Sequence, residues 1–330
     1  MAVLPKNIEN LLQRTLTTMK DGTPGRDAAA RWQPFNRFNC FVLAMVAVLA
    51  PIELVLAKAV RIVGLAHILD GWVGLLLLSV CLYYSVTRPL PKLIQLCEIL
   101  IGSTLLLSLL PLLTLIASRS GAPLMDAALS AIDAKMHFNT AAVVHAVALV
   151  PMLPRSMVVV YGSLTEFVLA ALVAPLLFGR FTVSCRCMLA VVFAAIVTAI
   201  VFSMCPAIGP WAVEDIQPSV DQVAVDTSLE TMKSGVPVQM KGATTAIVSF
   251  PSFHVALAIL SAIYLSTFRR LRIANWILAT LITISTVTTG WHYGIDVIGG
   301  IVLAAVSAGA AEWAGTWMFA ARDLGLAGRP

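Results

Sequence analysis

Apolar runs long enough to cross a membrane recur along this 330-residue sequence. About 20 apolar residues are needed to cross the hydrocarbon core of a bilayer as an α-helix. Only 12% of the residues are charged, whereas about a quarter are charged in a soluble domain. We therefore expect an all-α, polytopic membrane helix bundle with about eight transmembrane helices, at 38–57, 62–86, 93–118, 157–178, 186–206, 251–268, 273–291 and 295–319.

Lysine and arginine are unevenly distributed between the segments that connect these runs. If the N-terminus is cytoplasmic, 15 of the 22 basic residues lie in the cytoplasmic segments, which are 1–37, 87–92, 179–186, 269–272 and 320–330. Cytoplasmic segments of membrane proteins are enriched in these residues. The pattern predicts a multi-pass protein with cytoplasmic N- and C-termini. We expect the bacterial inner membrane, with the opposite face in the periplasm; in a eukaryote that face would be lumenal.

The runs also predict how the chain is divided. We expect a cytoplasmic tail at 1–37, two accessory transmembrane helices at 38–92, a six-helix membrane domain at 93–319 and a cytoplasmic tail at 320–330. No basic patch is interleaved with aromatic residues, so nucleic acid is not expected as a partner.

The extracytoplasmic segment 120–155 is only moderately apolar. In 124–136, Asp126 and Asp133 alternate with apolar residues at helical spacing, which predicts a helix lying at the membrane interface. The following run, 140–154, is too short to span and contains prolines. It predicts a second surface helix or a re-entrant one.

A second long extracytoplasmic connection occupies 207–249. It contains five acidic residues and two lysines, Lys233 and Lys241, and it leads directly into the motif PSFH at 251–254. Connections of this length inside a compact domain are usually functional or disordered. We expect this loop to act as a lid or to bind substrate.

His292 and Asp296 stand four residues apart at the start of the last apolar run. Residues at this spacing in a helix lie on one face, so the carboxylate can accept the Nδ1 proton of the imidazole. Nε2 is then free as a nucleophile or a base, as in the orienting half of a catalytic triad.

The motif PSFH begins another apolar run. Proline favours the first helical turn, whose free N–H groups bind anions. Ser252 adds a hydroxyl group, and His254 can serve as a general acid. Because the chain crosses the membrane twice between His254 and His292, in the runs 251–268 and 273–291, both histidines are predicted on one face of the membrane, where they suit phosphoryl transfer through a phosphohistidine. Two histidines and an aspartate can also bind zinc or iron. We find no third strong ligand at helical spacing and expect no metal.

These residues resemble signature motifs of the type 2 phosphatidic acid phosphatase superfamily, which read P-S-G-H and S-R-x5-H-x3-D. The second is matched here by Ser285, His292 and Asp296. More narrowly, IVSFPSFHVA at 247–256 and HYGIDVIGG at 292–300 are similar to the inositol phosphorylceramide synthase branch and its bacterial relatives, as is PAIGP at 206–210, at the end of the fifth run.

The resemblance implies a role for each matching residue. His292 would accept the phosphoryl group, Asp296 would orient it, and His254 would protonate the leaving alcohol. Ser252 and the backbone amides that follow it, beginning at Phe253, would hold phosphate oxygens. We also place Tyr293, which follows the nucleophile, among the substrate-binding residues.

The sequence departs from the superfamily pattern where cations are usual. The first motif, K-x6-R-P, is absent, because Cys81 precedes Arg88-Pro89 where the lysine would stand. Thr286 replaces the motif arginine, and Phe253 replaces the motif glycine. Phosphate charge must therefore be met by other groups. The candidates are Lys233, Lys241, Arg155 and the helix start at Pro251. Glu166, in the fourth run, is a separate supporting candidate: it either makes a hydrogen bond between helices or reaches into the active-site cleft.

The sequence thus predicts a lipid-phosphate phosphatase or phosphotransferase acting at the extracytoplasmic face. Its substrate would be a membrane phospholipid, a sphingolipid or a polyprenyl phosphate. No cofactor is expected, and vanadate should inhibit as a phosphate mimic. A phospholipid head-group transferase is the alternative enzyme. A non-catalytic phospholipid binder or transporter is the second alternative, although no internal repeat of the kind common in transporters is evident.

Overall fold

The computed structural model describes residues 122–234, 238–239 and 249–319, together with scattered positions between 44 and 117. The expected tails at 1–37 and 320–330 lie outside the described residues, as do most residues of the first three predicted spans.

Almost all of the described chain is helical, as the apolar runs predict. The helices are α1 (Asp126–Lys135), α2 (Thr140–Ala148), α3 (Leu153–Gly162), α4 (Leu164–Leu177), α5 (Phe181–Met204), α6 (Val220–Lys233), α7 (Phe253–Leu265), α8 (Arg272–Thr288) and α9 (Gly294–Phe319). A single 3-10 turn, Pro210–Ala212, precedes α6. The segment 207–249, expected as a loop, therefore contains helical structure.

Two short strands are also present. β1 (Ile62–Val63) pairs in parallel with β2 (Val238–Gln239). The chain is thus extended at the two residues where the predicted span 62–86 begins. This pairing ties the N-terminal part of the chain to the long segment that precedes α7.

Three stretches of helix are long and apolar enough to cross a membrane: Leu153–Leu177, which comprises α3 and α4, then α5, and α9. They identify a membrane protein. α7 and α8 are apolar but shorter, with 13 and 17 residues. The predicted count of eight spans and a six-helix core stays a prediction.

The helix α7 lies at the centre of the described bundle. It contacts α4, α5, α8 and α9. Small side chains line its buried surface, and Ala256, Ala258 and Ala262 are fully buried. Small residues let helices in a membrane approach closely. The central position of α7 matters because its first turn carries His254.

An ion pair joins α5 to α9 within the bundle. Arg186 Nη1 lies 3.1 Å from Glu312 Oε2, and both side chains are about 15% exposed. Gly315 makes room for the guanidinium, since a Cβ there would lie 2.7 Å from Arg186 Nε. Charged residues inside a membrane domain are costly unless they are paired.

Removing one partner of this pair should destabilise the bundle. Arg186→Met leaves the Glu312 carboxylate unpaired, at an expected cost of about 3–5 kcal/mol. The double variant Arg186→Met/Glu312→Leu should recover most of this loss. The apparent melting temperature in detergent measures both effects, with Arg269→Met at an exposed position as the control. Strictly additive losses from the two substitutions would show that the pair is not coupled.

Candidate active site

Three helix ends meet at the site: the start of α7, the end of α8 and the start of α9. Gly290 has a positive φ of 76° just after α8, a backbone conformation that glycine adopts without strain and that commonly ends helices. The N–H groups of Trp291 and His292 then donate to the carbonyl of Thr286. This sharp turn carries the chain directly from α8 into the first turn of α9.

The His292 ring is buried and is held at one nitrogen. Its Nδ1 lies 3.0 Å from the Ser249 carbonyl oxygen and 3.3 Å from Asp296 Oδ2. A carbonyl oxygen can only accept a hydrogen bond, so Nδ1 carries the proton and donates. The lone pair of the neutral imidazole is therefore on Nε2. The expected contact with Asp296 is present, but the backbone of Ser249 is the nearer acceptor.

The Asp296 carboxylate is completely buried and organises the turn around it. Its Oδ2 accepts hydrogen bonds from Ser249 Oγ at 2.7 Å and from the Tyr293 N–H at 2.9 Å. Its Oδ1 has no hydrogen-bond partner among the described residues. One carboxylate oxygen thus fixes the segment before α7, the turn before α9 and the His292 ring.

Ser252 begins α7 and caps the helix with its side chain. Its hydroxyl accepts from the Val255 N–H at 3.3 Å as a helix N-cap. Its own N–H donates to the Asp296 carbonyl oxygen at 3.1 Å. Gly300 permits this approach of α7 to α9, since a Cβ there would lie 2.6 Å from the Ser252 carbonyl oxygen. The Ser252 hydroxyl thus acts as a helix cap, and its role in phosphate binding stays a prediction.

The structure brings His254, His292 and Asp296 together. The ring centroids of the two histidines are 5.9 Å apart, with the rings tilted by 56°. The Tyr161 ring, from the last turn of α3, stacks on His254 with centroids 4.5 Å apart.

Two buried aspartates of α1 support the site from outside. Asp133 accepts hydrogen bonds from the N–H groups of Gly294 at 2.6 Å and Ile295 at 2.8 Å, and so caps the start of α9. Asp126 accepts from the N–H groups of Ile208 and Gly209. Burial raises the pKa of both carboxyl groups, and the backbone donors oppose this shift. The interfacial helix expected here turns its acids towards the protein and not towards water.

Tyr293 is fully buried beneath this helix. Its hydroxyl lies 3.1 Å from both Asp126 Oδ1 and the Gly209 carbonyl oxygen. Burial and the neighbouring Asp126 raise the pKa of the phenol. Sequence reasoning placed Tyr293 among the substrate-binding residues, but in the structure its hydroxyl joins the turn before α9 to α1.

Among the other predicted site residues, Phe253, Arg155 and Glu166 do not join this cluster. Phe253 is half-buried in the first turn of α7 and packs against the apolar core. Arg155 on α3 and Glu166 on α4 have exposed side chains. Lys233 is the last residue of α6, and Lys241 lies outside the described residues. In the described part of the chain, no three His, Cys, Asp or Glu side chains are grouped so as to hold a metal ion.

Sequence reasoning did not assign four residues to the site: Ser249 and Tyr161, which contact the cluster, and Asp126 and Asp133, which support the turns around it. In the sequence, Ser249 is distinguished only by its hydroxyl group, three positions before Ser252. In the structure its side chain donates to Asp296, and its carbonyl oxygen accepts from the His292 ring. Asp126 and Asp133 are seven residues apart, which is two helical turns, so their common face could be read from the sequence. No sequence pattern identifies Tyr161 as a site residue, because its partner His254 is distant in sequence.

Comparison with known proteins points to one family. A family model described as the PAP2 superfamily matches residues 127–310, which is more than half of the chain. The matched range begins in α1, which supports the site, and ends within α9. Comparisons with curated proteins and with solved structures give no match.

The cap that Asp133 provides can be tested by substitution. Asp133→Ala leaves the Gly294 and Ile295 N–H groups without their acceptor and should destabilise the protein by about 1–3 kcal/mol. Asp133→Asn keeps one acceptor oxygen and should cost less. Unfolding in detergent measures both variants, with Glu230→Ala at an exposed position of α6 as the control. Equal stability of Asp133→Ala and the wild type would contradict the role as a cap.

Proposed function

The chain belongs to the PAP2 superfamily, and on this premise we propose that it transfers the phosphoryl group of a membrane lipid phosphate at the extracytoplasmic face. Members of this superfamily are generally phosphatases or phosphotransferases. The substrate would be a membrane phospholipid, a sphingolipid or a polyprenyl phosphate. The uneven distribution of basic residues supports cytoplasmic termini and a site on the opposite face, as in a bacterial inner membrane.

The observation that carries this proposal is the hydrogen bonding of His292. Two acceptors, the Ser249 carbonyl oxygen and Asp296 Oδ2, hold the proton on Nδ1. The Nε2 lone pair is therefore available without any prior proton transfer. A nucleophile oriented by a buried carboxylate is the arrangement used in covalent catalysis.

In the first step, the lone pair of His292 Nε2 attacks phosphorus and forms a P–N bond. The P–O bond to the leaving alcohol breaks, and its electron pair goes to the departing oxygen. His254, which takes up a proton when the anionic substrate binds beside it, gives this proton to the departing oxygen and becomes neutral. Asp296 stabilises the positive charge that develops on the His292 ring.

In the second step, an oxygen of water or of a lipid hydroxyl group attacks the phosphohistidine. The proton of this acceptor passes to His254, which becomes an imidazolium again. The P–N bond breaks, and its electron pair returns to His292 Nε2. Water as acceptor completes a hydrolysis, and a lipid hydroxyl completes a head-group transfer.

The start of α7 is the best place for the phosphate oxygens. The first N–H groups of a helix lack intrahelical partners and attract anions. The Ser252 hydroxyl uses the N–H of Val255, so the N–H groups of Phe253 and His254 remain for a ligand. The start of α9 is already occupied by the Asp133 carboxylate.

Head-group transfer from a phosphodiester is the second candidate. Thr286, at the position of the motif arginine, is buried and donates its hydroxyl to the Thr283 carbonyl oxygen. In the described part of the chain, no Lys or Arg contributes a hydrogen bond or ion pair to His254, His292 or Asp296. A phosphodiester carries one negative charge and needs less compensation than a phosphomonoester, which carries up to two.

Replacing the nucleophile should abolish turnover. Purified protein would be offered phosphatidic acid, a polyprenyl diphosphate, and phosphatidylinositol with ceramide, while phosphate release and new lipid are followed together. His292→Ala should lower kcat by about 10³-fold or more. His145→Ala, at an exposed position of α2, is the matched control and should behave like the wild type.

The same assays separate the alternatives. Vanadate should inhibit, and a chelator should leave activity unchanged. Release of phosphate alone identifies a phosphatase, whereas a new phosphorylated lipid identifies a transferase. Full activity of His292→Ala would refute the mechanism, and loss of activity with a chelator would support a metal site. Binding of lipid without turnover by the wild type would support the non-catalytic alternative.

The proposed topology gives a separate prediction. In a variant that lacks the native cysteines, Trp211→Cys should react with an impermeant maleimide added outside intact cells. Arg270→Cys, at the connection between α7 and α8, should react only after the membrane is opened. The reverse labelling pattern would place the active site on the cytoplasmic face.

A further inference from the structure

The His254 ring lacks the hydrogen bonds that hold His292. Two acceptors fix Nδ1 of His292, whereas no hydrogen bond from a described residue reaches the His254 ring. A general acid must place its proton within about 3 Å of the leaving oxygen. Some other contact must therefore set the orientation of His254.

Tyr161 makes that contact. Its ring lies nearly parallel to the His254 ring, with 4.5 Å between centroids and 18° between planes. Stacking of this kind restricts the rotation of an imidazole about its side-chain bonds. Tyr161 comes from α3 and His254 from α7, so the contact also fixes one helix against the other.

Tyr161 is itself held by the turn that carries the nucleophile. The Trp291 ring is nearly parallel to Tyr161, at 6.3 Å and 11°. Trp211 packs its ring edge to face with Trp291, at 5.2 Å and 83°. The aromatic cluster of Tyr161, Trp211 and Trp291 thus connects His254 to the residue next to His292.

We propose that Tyr161 is a positioning residue that orients His254 for proton transfer to the leaving alcohol. The inference rests on the proposed function, in which His254 is the general acid. The ring of Tyr161 acts by stacking, and its hydroxyl group is not required. Loss of the ring should affect the protonation of the leaving group and leave the attack by His292 intact.

Two phosphate esters with different leaving groups test this inference. An alkyl lipid phosphate releases an alkoxide, which needs a proton from His254. A lipid 4-nitrophenyl phosphodiester releases nitrophenolate, which is a good leaving group without protonation. The readouts are kcat and KM for the alkyl ester and the pre-steady-state burst of nitrophenolate for the aryl ester, which isolates the first step.

Tyr161→Leu should lower kcat for the alkyl ester by about 10- to 100-fold, the effect of a misplaced catalytic group, with little change in KM. Its nitrophenolate burst should stay within about 3-fold of the wild type, because that step needs no acid. Tyr161→Phe keeps the ring and should stay within about 3-fold of the wild type on both esters. If Tyr161→Leu does not fold, as judged by its melting temperature in detergent, Tyr161→Met serves in its place.

A purely structural role for Tyr161 would lower both activities together, and this result would overturn the inference. Wild-type activity of Tyr161→Leu on the alkyl ester would also overturn it. If Tyr161→Phe were as impaired as Tyr161→Leu, the hydroxyl and not the stacked ring would be responsible, which contradicts the proposal.

His254→Ala distinguishes a failure of this inference from a failure of the proposed function. If His254 is the acid, His254→Ala shows the same selective loss on the alkyl ester. Such a loss in His254→Ala but not in Tyr161→Leu would refute only the role of Tyr161. Equal losses on both esters in His254→Ala would refute the role of His254, and the inference about Tyr161 with it.

Discussion

The site depends on a single buried carboxylate oxygen, Asp296 Oδ2. It accepts hydrogen bonds from the Ser249 hydroxyl, the Tyr293 N–H and the His292 ring. These three donors come from the segment before α7 and from the turn before α9, which are also joined by the bonds from His292 to the Ser249 carbonyl oxygen and from Ser252 to the Asp296 carbonyl oxygen. An ionised carboxylate with several donors is stable in a buried place, where an unpaired one is not. The geometry of the nucleophile is therefore inseparable from the packing of two helix starts.

The position of buried carboxylates also determines which helix start is left to bind an anionic substrate. A helix start carries roughly half a positive charge and attracts anions. At α9 this charge is already matched by Asp133, whose two hydrogen bonds are short. At α7 the cap is the neutral hydroxyl of Ser252, so the charge of that helix start is not compensated. The two adjacent helix starts thus have different tasks: α9 fixes the nucleophile, and α7 is left to hold phosphate.

The sequence predicts the local part of this arrangement well. The four-residue spacing of His292 and Asp296 and the helix start at Ser252 follow from rules that act within one turn. The contacts of Asp133 with Gly294 and of Tyr161 with His254 join distant parts of the chain, and no local pattern encodes such pairings. The same limit applies to Tyr293. Its position beside the nucleophile is local information, whereas its bond to Asp126 depends on how α1 packs.

The sequence lacks the cations of the superfamily motif, and the structure likewise shows little positive charge around the described site. Thr286 points its hydroxyl back into α8, so the position of the motif arginine supplies neither a cation nor a free donor. Asp126 and Asp133 add negative charge close to the turn that carries His292. The positive end of α7 is worth only about half a charge, which suits one negative charge on the substrate better than two. A phosphodiester meets this condition, because it carries one negative charge. When its first ester bond breaks, the second ester bond keeps the head group on the phosphorus, and a lipid hydroxyl would accept the two together. The charge at the start of α7 is therefore consistent with the second candidate, head-group transfer, whose substrate carries one negative charge.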